Sequence, residues 1–134
     1  MSKILFLHPN FPGQFKHIAS FFGENGHEVK FLCQTHYGRR LKYIERICLK
    51  GRAGIDYLNK KKLSGVYRSI QLSEQYKTAF EHLNANNWTP DIVITHTGWG
   101  CGAYVKQVWP QTRLIGYLEW WFNTKSDTYS YDQN

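Results

Sequence analysis

Two histidines stand at the ends of short apolar runs, each followed by a loop containing glycine. His8 closes Lys3–His8 (KILFLH), and His96 follows Asp91–Thr95 (DIVIT). An imidazole so placed can hydrogen-bond a ligand or move a proton near neutral pH, and it can equally be a structural hydrogen-bonding group. The first loop reads His8-Pro9-Asn10-Phe11-Pro12-Gly13-Gln14-Phe15. Between a strand and a helix amino terminus it suits an anion, and Gly13 would let the backbone approach a phosphate closely. The Gly-Lys-Ser/Thr ending of a P-loop is missing, and two prolines with a glycine also shape a tight turn.

The second loop, Thr95–Ala103, places Gly98, Gly100 and Ala103 in the order G-x-G-x-x-A, with Glu119 at about the spacing of a ribose-binding acid. A dinucleotide-binding module is therefore an alternative reading. Against it, such fingerprints open the first β-α-β unit of a fold, and His96 and Thr97 intervene between the strand and Gly98. Trp99 among flexible glycines instead suggests an aromatic carried on a mobile loop. Glu119-Trp120-Trp121-Phe122 joins an acid to three aromatics, which suits stacking on a sugar or covering a second domain. His17, His27 and His82 fall on helix or turn positions, and no two histidines have the spacing of a helical metal site, so no metal is expected.

These loops need elements to hold them. Lys3–His8 and Glu28–Cys33 read as buried strands flanking a helix, whose apolar residues Phe15, Ile18, Ala19 and Phe22 fall at i, i+3, i+4 and i+7. Gly26 stops that helix. Tyr43–Leu49 reads as a third strand. Residues 51–87 read as helical in one or two pieces, with Asp56 as N-cap, and Gly65 argues against a single helix. Leu63, Val66, Tyr67 and Ile70 continue the helical stripe that Tyr76, Ala79, Phe80 and Leu83 carry on. Asp91–Thr95 is the fourth strand, Cys101, Tyr104, Val105 and Val108 a helical stripe closed by Pro110, and Arg113–Leu118 the fifth strand. Such alternation predicts an α/β fold, a Rossmann-like, mostly parallel sheet of about five strands with helices on both faces. Ligands of such sheets lie outside the carboxyl ends of the strands, where both histidine loops and Glu119 fall.

The length of 134 residues suits one domain. The excess of positive charge is local. Between His36 and Arg68 ten Lys or Arg stand against Glu45 and Asp56, while the rest of the chain holds seven bases and eight acids. The basic segment 39–68 suits phosphates, an anionic membrane surface or nucleic acid, or is simply a solvated face. No nucleic-acid motif accompanies it, which ranks a nucleic-acid-binding domain last. Cys33, Cys48 and Cys101 form no CxxC pair and fit a reducing, cytoplasmic compartment. No run reaches the roughly 18 apolar residues of a spanning helix.

The loop His8–Phe15, then Gly26-His27-Glu28-Val29, then Pro90–Gly100 with its His-x-Gly-Trp-Gly, then Leu114–Glu119 together resemble the amino-terminal domain of family-4 glycosyltransferases of the GT-B fold. The resemblance implies that residues 1–134 are one Rossmann-like half of such a fold, ending before a donor-binding domain that would be its partner. It implies retaining transfer of a sugar from a nucleoside-diphosphate sugar to a glycan or lipid-linked acceptor, with no cofactor and no required metal. By it Gly13 is the glycine near the donor diphosphate and His96 the catalytic-site histidine near the transferred sugar. His8, Asn10, Gln14, Trp99 and Glu119 are then the substrate-binding candidates on the acceptor side. Segment 51–68 departs from the family pattern, and the basic patch could meet a membrane-borne or phosphate-linked acceptor, making the protein peripheral at the inner membrane face.

Overall fold

Apolar residues alternate between the two faces of the central strands, and both of those faces are covered. The computed structural model describes residues 1–119; Trp120–Phe122 and the polar tail from Thr124 lie outside them. Five strands, β1 (Lys3–Leu7), β2 (Glu28–Cys33), β3 (Ile44–Cys48), β4 (Ile92–His96) and β5 (Arg113–Tyr117), pair in parallel in the order β3-β2-β1-β4-β5. This is the Rossmann-like α/β fold that the alternation of elements predicts. Four helices connect the strands: α1 (Lys16–Glu24), α2 (Ile55–Lys60), α3 (Gly65–Ala85) and α4 (Val105–Val108). Ile4, Phe6, Phe31 and Ile94 pack with Phe15 and Ala19 on the α1 face. Leu5, Leu7, Leu32 and Val93 pack with Leu58, Leu72, Tyr76, Phe80 and Val105 on the other.

Three sequence expectations are corrected. Asp56 is not the N-cap of its helix; Gly54 takes that position, and Asp56 lies in the first turn, where its charge still complements the helix dipole. The stripe from Cys101 to Val108 yields only the four-residue α4, because Gly100 adopts φ +81° and residues 101–104 form turns. Val66, Tyr67 and Ile70 do not continue the core stripe but are exposed, at 71%, 74% and 47%. The reason is length. α3 has 21 residues, about 31 Å at the usual rise, against about 17 Å for a five-residue strand. Its first turns therefore overshoot the sheet, and only Leu72 onward finds a core. Gly65 begins α3 at φ +53°, so the helical region is broken where that glycine stands.

Two buried glutamines fix the segment that leads into α2. Gln34 Nε2 donates to Gln75 Oε1 (2.8 Å) and to the Ala53 carbonyl (2.9 Å). Gln75 Nε2 donates to the carbonyls of Arg52 (2.9 Å) and Gly54 (3.0 Å). This network ties α3 to the end of β2 and holds the basic loop against the fold. Replacing Gln75 with leucine would strand those buried acceptors, and a loss of about 2–3 kcal/mol in urea denaturation is expected. An unchanged midpoint would show that water replaces the amide without cost.

Candidate functional site

Strand order reverses between β1 and β4, and the two histidines meet there. The rings of His8 and His96 lie 5.3 Å apart, edge to face, and each is about 4% exposed. Both side chains share the parity of Phe6 and Ile94 along their strands, so both turn toward the α1 face. Phe15 packs edge-on against His8 at 6.0 Å, and Tyr117, paired in register with His96, stands 5.7 Å from Phe15 and 5.6 Å from His96. Tyr117 is a member of the site that reasoning from the sequence passed over.

The same local lock sets both imidazoles. The Asn10 N–H donates to His8 Nδ1 at 2.9 Å, and the Gly98 N–H donates to His96 Nδ1 at 3.1 Å. With Nδ1 engaged as acceptor, the neutral ring carries its proton on Nε2. His8 Nε2–H then donates to Gln14 Oε1 (2.7 Å), and His96 Nε2–H to Glu119 Oε2 (3.2 Å). Each histidine thus presents a directed N–H rather than a free lone pair, which suits holding a substrate oxygen more than removing a proton. Burial holds His8 below its ordinary pKa, and the neighbouring His96 adds to the effect against the opposing Gln14 contact.

Gly13 lies directly against the His8 ring. It has φ +53°, and a Cβ built on it would fall 2.7 Å from His8 Nε2. Gln14 is exposed beside it. Asn10 is exposed as well, but its side chain is engaged by the Thr35 hydroxyl, so only its backbone serves His8. Trp99 is half exposed with its ring 6.2 Å from His96. The structure therefore brings His8, Gly13, Gln14, His96, Trp99 and Glu119 together at the carboxyl ends of β1 and β4 and turns the Asn10 side chain to Thr35.

The glycines of the second loop have a steric explanation. A Cβ on Gly98 would stand 3.0 Å from His96 Cε1, one on Gly100 2.9 Å from Ser73 Oγ, and one on Gly102 2.6 Å from Thr95 Cγ2. They make room for the chain's own side chains. Gly98 lies in a single 3-10 turn, Thr97–Trp99, rather than at a helix start, and α4 begins only at Val105. Glu119 is engaged with His96. None of this is the geometry of a pyrophosphate cradle. Among the described residues no cluster of three or more His, Cys, Asp or Glu could hold a metal ion.

The family model described as the glycosyl transferase family 4 group matches residues 25–134. The chain belongs to that family. The matched residues include β4, the His96 loop and Glu119, while β1, Gly13 and all of α1 precede them. No curated protein matches the chain. Among solved structures, the carboxyl-terminal domain of a hydrogenase from Pyrococcus furiosus is similar in fold, with TM-score 0.51 and 16% identity over 86% of this chain and 90% of that one. A second structure of that domain gives TM-score 0.49 and 19% identity, over 87% and 91%. At such identity the likeness concerns the fold alone.

Two outcomes test the geometry. Gly13→Ala forces a side chain into left-handed backbone and onto His8; a loss of about 1–2 kcal/mol is expected, with a shift of the His8 Nε2 resonance that an effect on the turn alone would not produce. Since the pKa of folded His8 lies below its ordinary 6.5, the unfolded chain binds more protons under mildly acidic conditions. Stability is therefore fully present above pH 6.5 and declines as pH falls toward the lower, folded value. His8→Gln should flatten that limb of the stability profile; an unchanged profile would assign it to another group.

Proposed function

We propose that this chain is the acceptor-side, amino-terminal domain of a retaining glycosyltransferase, transferring a sugar from a nucleoside-diphosphate sugar to a glycan or lipid-linked acceptor. The observation that carries the reading is the pair of imidazole N–H donors at the β1–β4 switch point, in a chain of the family-4 group. In this reading His96 donates Nε2–H to a hydroxyl of the transferred sugar, displacing Glu119, whose carboxylate is half exposed and free to accept from a neighbouring hydroxyl. His8 holds Gln14 at the mouth of the crevice, and Gly13 keeps the loop thin where the donor diphosphate passes. Trp99 and Tyr117 offer ring faces to a sugar. The nucleotide is held by a second, donor-binding domain, and the donor is a substrate, with no other cofactor required.

Such a domain works at the cytoplasmic side, where nucleoside-diphosphate sugars are met, and the basic segment 39–68 would draw it to an anionic membrane face. Among the described residues no helix is long and apolar enough to cross a membrane.

The test is transfer from radiolabelled nucleoside-diphosphate sugars, with the chain alone and joined to a donor-binding domain. The chain alone should turn nothing over, and the joined form should transfer with retention at the anomeric carbon. His96→Ala in the active form should lower kcat about 100-fold or more, as for loss of a preorganised donor. Full activity in that variant would remove His96 from the site. Tight binding of NAD(P) to the chain would favour the dinucleotide module instead.

A further inference from the structure

A second cavity borders Gly13. It has a volume of about 510 Å³ and is lined by Pro12, Gly13, Lys16, Arg39, Arg40 and Leu41. Three of those six residues are cations and none is an acid. Among the described residues, Lys30 pairs with Glu28 and Glu45 and Lys77 with Glu81, whereas Lys16, Arg39 and Arg40 form no ion pair. A separate space of about 390 Å³ at the ends of β4 and β5, lined in part by Thr95, His96 and Gly116, holds none of these cations.

The cationic loop is held by its own bonds. The Gly38 N–H donates to His36 Nδ1 (2.9 Å), and the Arg39 N–H donates to the His36 carbonyl (2.9 Å). The Arg46 guanidinium donates to the Arg39 carbonyl, Arg39 lies over the Tyr37 ring at 5.6 Å, and Leu41 packs on the α1-face core. The positive field is sensed nearby, since partial burial together with Arg46, Lys50 and Arg40 holds His36 below its ordinary pKa. Three like charges around one concavity repel one another, and a bound anion relieves that repulsion. Two guanidinium forks and an ammonium suit the tetrahedral, multiply charged oxygens of a phosphate ester.

From this geometry we infer that the Lys16–Arg39–Arg40 cavity is a subsite for a phosphate ester carried by the acceptor. The inference deepens the glycosyltransferase reading and rests on it for the word acceptor, because the cavity borders Gly13, in the loop that also carries His8 and Gln14. The same chemistry is offered by a phospholipid headgroup and by a soluble sugar phosphate.

The test titrates the 134-residue chain with inorganic pyrophosphate, a hexose phosphate, and phosphatidylcholine vesicles with and without phosphatidylglycerol. Pyrophosphate should move the amide resonances of Gly13, Lys16, Arg39 and Arg40. Its affinity should fall at least tenfold in Arg39→Gln/Arg40→Gln and in Lys16→Gln, yet less than twofold in Lys60→Gln/Lys61→Gln/Lys62→Gln, which removes three charges outside the cavity. Variant-sensitive binding to the anionic vesicles assigns a lipid headgroup, and variant-sensitive binding to hexose phosphate alone assigns a soluble ester; either supports the subsite. Equal losses in the cavity and control variants, or no probe bound, would overturn it. Neither result depends on turnover. Loss of the glycosyltransferase reading leaves pyrophosphate binding standing, and transfer in the two-domain enzyme that is indifferent to Arg39 and Arg40 sinks the subsite alone.

Discussion

Parallel neighbours need crossovers, and the directions of those crossovers decide where a sheet can receive a ligand. The chain leaves β1 toward α1 on one face, while it leaves β4 toward α4 on the other. The β1–β4 seam is where the two exits diverge, and nothing local fills the space between them. The register there, with Leu7 opposite Thr95, puts His8 and His96 side by side and on the same face. A slip of one residue along either strand would turn one imidazole to the opposite layer. The site is therefore a product of strand pairing first and of side-chain chemistry second. Gly13, Phe15 and Tyr117 are assembled around a position that the backbone has already chosen.

The fold was largely legible because its signals are short-range. Apolar runs such as Ile4–Leu7 and Ile92–Ile94 mark strands, and the spacing of Phe15, Ala19 and Phe22 marks the helix between the first two. The break at Gly65 was visible too. Less legible were features that depend on how far an element extends beyond its neighbours. The periodic stripe of α3 runs past the end of the sheet, so Val66 and Tyr67 have helical spacing without a partner. The stripe at residues 101–108 has the right period, but Gly100 and Gly102 serve close contacts with Ser73 and Thr95, and the backbone turns instead. Of the site, the histidines and Gly13 could be read from their loops. Tyr117 and the cationic cavity could not, because Lys16 meets Arg39 and Arg40 only when β2 lies beside β1.

The arrangement also explains why glycine recurs beside each imidazole. A histidine whose Nδ1 accepts the N–H two residues later must share its space with that turn, and at Gly98 an added Cβ would press on the ring. Gly13 does the same service for His8 from a distance along the loop. Glycine here preserves ring orientation as much as it opens access to a ligand. The two functions coincide, since a ring held by its Nδ1 acceptor bond can aim only its Nε2–H outward.

That constraint bears on what chemistry the crevice can host. Protonating either ring would displace a backbone N–H from Nδ1, and protonating both would place two positive charges about 5 Å apart with little solvent between them. His8, whose pKa burial lowers, is consequently a neutral donor above mildly acidic pH. A neutral N–H stabilises charge developing on a substrate oxygen without itself needing to gain or lose a proton, and in a buried site it does so with little reorganisation. On the proposed reading, leaving-group charge would be neutralised by the donor-binding domain rather than by this pair. Glu119, bonded to His96 and half exposed, can exchange for another acceptor, which on the proposed reading would be a sugar hydroxyl.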